Sequence, residues 1–168
     1  MRAAALLVLL CVAVPVASQT PTGQQKPCST AEYRQFDFWL GEWEVRGPKG
    51  PIVGTNRIER IENGCGLQEN WVGAGGVTGR SINAYSNADR QWHQAWIGGG
   101  GQFLHLVGGL RGKEMILEGR SMDPSSKPTI ERVTWTPMPD GRVRQFWQQS
   151  IDGGKTWTTS FDGVYARK

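Results

Sequence analysis

Histidine is the scarcest source of chemistry in this chain: among 168 residues there are two, His93 and His105, with three cysteines, Cys11, Cys28 and Cys65. Two histidines with no third ligand type close by in sequence do not make a catalytic zinc site, so no metal is expected. A run of basic residues is missing too. Nineteen basic residues stand against fifteen acidic ones, the net charge is +4, and the densest basic cluster is the pair Arg142 and Arg144. A nucleic-acid binder shows a basic stripe, and none is present. No Gly-x-Ser-x-Gly elbow occurs, and no glycine run ends in Lys-Ser/Thr ahead of a helix, which removes the serine-hydrolase and phosphate-loop motifs. No window has a helical period, and no apolar run after the N-terminus is long enough to span a membrane. Disorder is excluded by the opposite imbalance: 20% of residues are charged and 38% are hydrophobic.

What is present is glycine, twenty-three residues, and tryptophan, eight. Turn chemistry recurs at Pro48–Pro51, Asn63-Gly64, Gly73–Gly76, Ser86–Asp89, Gly98–Gly101, Arg111-Gly112, Asp123–Pro128, Pro137–Gly141 and Asp152–Gly154. These nine turns divide the chain into ten segments whose midpoints lie about 13 residues apart, the spacing of strands joined by hairpins. The fold class expected is therefore all-β, an antiparallel meander of about ten strands. Such a sheet closes on itself because open edges invite aggregation, and a barrel of this strand number is wide enough to keep a cavity. Only Thr30 to Phe38 offers a short helix.

The N-terminus carries the pattern of a secretory signal: Arg2, then the apolar Ala3 to Val14, then the small-residue site Val16-Ala17-Ser18, with Gln19 first in the mature chain. Leu10 ahead of Cys11 argues against lipidation. The expected organisation is a signal peptide over 1–18, a flexible leader over 19–31 and one barrel domain over 32–168, in an exported protein of the periplasm or medium. Cleavage leaves Cys28 and Cys65, an even pair that reads as one disulfide in an oxidising compartment. The chain-entropy model credits such a loop with about 4 kcal/mol.

Side chains alternate along a strand, so each strand offers two faces. One face collects the aromatics and is assigned to the lumen. It holds Leu67, Glu69 and Trp71; Ser81, Asn83 and Tyr85; Trp92, Gln94 and Trp96; Phe103, His105 and Val107; Met115 and Leu117; Val133 and Trp135; Val143, Gln145 and Trp147; and Trp157, Thr159 and Phe161. The lumen is thus expected to be apolar, with Glu69, Asn83, Gln94, His105 and Gln145 directed into it. Polar groups there either satisfy one another or orient a ligand. The candidate ligand-binding residues are Glu69, Trp71, Asn83, Tyr85, Gln94, Trp96, His105, Trp135, Gln145 and Trp147.

Phe36-Asp37-Phe38-Trp39-Leu40-Gly41-Glu42-Trp43 places Gly-x-Trp after a short helix at the head of the meander. This resembles the opening of lipocalins and the wider calycin superfamily. The fuller pattern, through Trp92-His93-Gln94 to Val133-Thr134-Trp135-Thr136-Pro137, is similar to an uncharacterised bacterial calycin-like family. The resemblance implies a β-barrel, often with a cavity, in which Trp43 plugs the base and Arg167 packs over it. Ten strands look closer to fatty-acid-binding and nitrobindin-like barrels than to the eight of true lipocalins. Nitrobindin-like barrels hold haem through a histidine near the C-terminus, where this chain has none, so no cofactor is expected. Ser150 to Trp157 matches the Asp-box pattern Ser-x-Asp-x-Gly-x-Thr-Trp, which reads as a structural hairpin.

The function these features suggest is binding of a small apolar or amphipathic molecule in the lumen of an exported barrel. Two alternatives come from other classes. One is an isomerase or cyclase on the same barrel, moving a proton with His105 and Glu69. The other is a carbohydrate-binding module stacking sugars on Trp71, Trp92, Trp96 and Trp147, which requires those rings to face solvent.

Overall fold

Ten antiparallel strands follow one another in a computed structural model that describes residues 26–123 and 125–168. They are β1 Gly41–Arg46, β2 Ile52–Ile61, β3 Gly66–Gly73, β4 Thr78–Ser86, β5 Gln91–Gly98, β6 Phe103–Arg111, β7 Glu114–Met122, β8 Pro128–Pro137, β9 Val143–Ser150 and β10 Thr158–Arg167. The expected signal segment and most of the polar leader lie outside the described residues. Every strand pairs with its neighbours in sequence, and β1 pairs with β10, which closes the barrel and leaves no open edge. Closure is in register from Trp43 opposite Arg167 to Arg46 opposite Val164. The connections are the turns the sequence punctuates. At Asn63-Gly64, for example, φ is 55° and 95°, a left-handed pair that Asn and Gly adopt most easily.

The end where β1 begins and β10 finishes is the base, and it is packed solid. The short helical segment ahead of β1 falls into two 3-10 turns, Ala31–Arg34 and Asp37–Trp39. They carry Phe36 and Trp39 into the barrel, both fully buried. Phe36 stacks on Trp39 with centroids 5.0 Å apart and meets Trp135 edge-on at 5.1 Å. Trp43 donates its indole N–H to the Trp39 carbonyl at 2.9 Å, and the Arg167 guanidinium lies 4.4 Å from the Trp43 ring centre. Burying each of these large side chains contributes about 2–3 kcal/mol. The segment is tied down outside as well. A Cys28–Cys65 disulfide spans the two chain regions, Arg34 donates to the carbonyls of Cys28 and Gly64, and Arg60 pairs with Asp37 at 2.7 Å.

The face assignment holds on most strands and fails on two. In β6 it is Leu104 and Leu106 that are buried, opposite Trp96 and Gln94, while Phe103 is 63% exposed and His105 points outward. Phe-Leu-His-Leu-Val carries apolar residues at both parities. Burying two leucines costs nothing in unpaired polar groups, whereas burying His105 would need a partner. In β10 the pairing slips between Thr159 and Phe161, a bulge that puts both Thr159 and Ser160 on the exposed side and returns Phe161 to the lumen opposite Trp147. Trp157 precedes the strand and lies outside, its ring 4.0 Å from the guanidinium of Arg132.

Candidate functional site

Above the aromatic base the lumen opens. A cavity of about 110 Å³ is lined by Glu69, Trp71, Gln94, Trp96, Leu104, Val133, Gln145, Trp147, Phe161 and Tyr165. Each residue arrives from the inward parity of its strand, and six of the ten strands, β3, β5, β6, β8, β9 and β10, contribute to the wall. The rings lie flat against the sheet because glycines sit beside them. A Cβ on Gly54 would meet the Trp71 ring at 2.5 Å, and one on Gly79 would meet the Trp96 ring at 2.1 Å. Any larger residue at either place would push an indole into the cavity.

Between cavity and base runs a continuous belt of hydrogen bonds. Gln94 donates to Asn83 Oδ1 at 2.8 Å, Asn83 to Ser81 Oγ at 2.9 Å, and Ser81 to Glu69 Oε2 at 2.7 Å. Asn56 donates its amide hydrogens to Glu69 Oε1 at 2.7 Å and to the Tyr165 hydroxyl at 3.2 Å. Tyr165 in turn donates to Gln145 Oε1. Glu69 is 3% exposed, and burial pushes its carboxyl up to about 7, although the hydrogen bonds from Ser81 and Asn56 pull the other way. The Tyr165 phenol is raised well above its ordinary value by the same burial and by the Glu69 charge. Asn56 Oδ1 is buried and receives no hydrogen bond.

A second buried carboxylate stands nearer the mouth. Glu131 accepts from Ser121 Oγ, from Trp147 Nε1 at 2.6 Å and from Gln149 Nε2 at 3.0 Å. The mouth rim carries the Asp-box hairpin. Asp152 accepts from the backbone N–H groups of Lys155 and Thr156 and from the Thr156 hydroxyl, and these bonds hold its carboxyl down to about 2. Trp157 donates to the Gly154 carbonyl at 3.1 Å, so the motif is engaged in its own turn.

Six of the ten candidate residues come together at the cavity: Glu69, Trp71, Gln94, Trp96, Gln145 and Trp147. Asn83 stands one layer behind, in the polar belt. Tyr85 and Trp135 belong to the base, against Tyr33 and Phe36 respectively. His105 is on the outer wall, where its Nε2 lies 3.4 Å from Nδ1 of His93, whose Nε2 is 2.9 Å from Asp89. A proton relay between His105 and Glu69 therefore does not exist. The outer pair has no third ligand, and among the described residues no group of three His, Cys, Asp or Glu side chains could hold a metal ion.

Four contributors were missed: Asn56, Leu104, Glu131 and Tyr165. Parity alone could have found two of them. Glu131 lies two residues before Val133, and Tyr165 lies four after Phe161.

Fold and site together define a closed ten-stranded antiparallel barrel with an aromatic cavity at one end, consistent with a calycin-like fold. No family model matches the chain, and no curated protein matches it.

Proposed function

We propose that this chain is an exported small-molecule-binding barrel that holds a largely apolar ligand in its lumen. The observation that carries this reading is the division of the interior: a base filled by Phe36, Trp39, Trp43 and Trp135 below a cavity walled by Trp71, Trp96, Trp147, Phe161 and Tyr165. A concave apolar site with a few convergent polar groups is the usual form of a ligand pocket. Export is supported by the signal-like N-terminus and by the Cys28–Cys65 disulfide. Among the described residues no helix is long and apolar enough to cross a membrane.

The competing readings lose their physical support. An isomerase using His105 and Glu69 needs both in one compartment, and the barrel wall separates them. A sugar-stacking platform needs indoles presented outward, but Trp92 is buried and Trp71, Trp96 and Trp147 line the cavity.

Titration with 3-phenyl-1-propanol, followed by tryptophan emission, tests the reading. A saturable change is expected in the unaltered protein and its loss in Val133→Phe, which fills the cavity. No saturable change in the unaltered protein, or an unchanged one in the filled variant, would sink it.

A further inference from the structure

The electrostatics of the lumen are lopsided, and that narrows the ligand further. Two carboxylates, Glu69 and Glu131, are buried on the inner face, at 3% and 1% exposure. Among the described residues no Lys, Arg or His lines the cavity or the polar belt; Arg167 sits below, sealing the base over Trp43. The donors that reach Glu69 are neutral, the Ser81 hydroxyl and the Asn56 amide. Several other donors nearby are already spent: the Tyr165 hydroxyl on Gln145, the Trp147 N–H on Glu131, and the Gln94 amide on Asn83 and Ser81. At the cavity and the belt what remains is surplus acceptor capacity, including Asn56 Oδ1 with no donor at all, while the unpaired indole N–H groups of Trp39 and Trp135 lie below in the base. A buried charge without a counter-charge is expensive, and so is a buried acceptor without a donor.

Around this acceptor-rich floor stand five aromatic rings, Trp71, Trp96, Trp147, Phe161 and Tyr165. Their faces carry the negative part of the ring quadrupole and attract a cation that has left water. An anionic guest would meet Glu69 with no guanidinium or ammonium to hold it. A neutral apolar guest would leave Glu69 without a counter-charge.

We infer that the cavity selects a small organic cation, an ammonium group on an apolar body, with Glu69 as its counter-ion and the aromatic walls around it. This rests on the ligand-binding reading above and specifies its substrate class. The volume of about 110 Å³ is smaller than the roughly 150 Å³ cavity that takes up benzene, so it holds the ammonium end and part of a single ring or short branched chain, with the remainder toward the open mouth. Glu69, already on the edge of ionisation at neutral pH, becomes fully charged beside an ammonium.

Three probes of matched chain length test it at pH 8: 3-phenyl-1-propylamine, 3-phenyl-1-propanol and 3-phenylpropanoate, titrated into the unaltered protein by calorimetry. The amine is expected to bind at least about tenfold tighter than the alcohol, and the propanoate not measurably. Glu69→Gln, nearly isosteric and neutral, should bring the amine to within about twofold of the alcohol when both are measured on that variant. An amine no tighter than the alcohol overturns the inference and leaves apolar binding standing. A preference that survives in Glu69→Gln overturns it too. No binding of any probe removes both readings. Should Glu69→Gln fail to fold, as judged by its melting curve, the three-probe ranking on the unaltered protein still decides.

Discussion

The two ends of the barrel solve the same geometric problem in opposite ways. Ten strands enclose more width than side chains from the sheet alone can fill. At the base the chain adds material: Phe36 and Trp39 enter from outside the sheet and complete a dry cluster with Trp43, Trp92 and Trp135. At the mouth it removes material, because glycines at 54 and 79 let Trp71 and Trp96 lie flat against the wall and leave space between them. Where the two regions meet, the polar belt from Gln94 to Gln145 closes the transition. The base makes the well-packed contacts that hold the fold, and the mouth leaves partly exposed rings around a cavity, which is where the proposed ligand would sit.

Truncating one aromatic from each region is the most severe test of that division. Trp39→Ala removes a fully buried indole and should cost about 3–5 kcal/mol in denaturant unfolding. Trp96→Ala, half-exposed over Gly79, should cost less than about 2 kcal/mol and weaken binding of the phenyl probes instead. Equal losses of stability from the two would erase the distinction.

Next in size is the tether of the base. Replacing Cys28 and Cys65 together by serine should lower stability by about 3–4 kcal/mol, read as a lower melting temperature. Probe affinity at the mouth should change by less than about twofold, because the bridge lies at the other end. A large loss of binding in the folded variant would show that the leader reaches the cavity.

The smallest effect concerns the belt. Glu69 has a folded pKa raised from 4.5 to about 7, so between those values the folded protein keeps a proton that the unfolded chain has released. Stability from this group is therefore full below about pH 4.5 and declines as pH rises through 7, by up to about 3 kcal/mol. Tyr165, also raised, adds a loss of its own only above pH 10. Urea unfolding between pH 5 and 8 should show the decline in the unaltered protein and a flatter profile in Glu69→Gln. Identical profiles would place the carboxyl in a better-solvated setting than its burial implies.

The open end also explains which parts of the site were legible beforehand. Parity placed Glu69, Trp71, Gln94, Trp96, Gln145 and Trp147 on the inward face because β3, β5 and β9 carry their tryptophans on one face. It misplaced His105 because β6 has apolar residues on both faces, so only the register against β5 distinguishes them. Tyr165 was within reach of parity, since the slip in pairing lies before Phe161 and the alternation from Phe161 to Tyr165 is regular. Glu131 shares the inward parity of Val133 and Trp135, and what its sequence position does not reveal is the set of donors that satisfies it. Its partners Ser121, Trp147 and Gln149 come from other strands.

Local chemistry determined the strand count, the turns, the disulfide pair and most of the inward faces, since each depends on residues a few positions apart or on simple alternation. Closure of β1 on β10, the pairing of Glu69 with Asn56 and Ser81, and the choice between a filled base and an open mouth were decided only in three dimensions. These depend on which distant side chains meet across the lumen. A cavity is a property of the volume the strands enclose, and no single strand carries it.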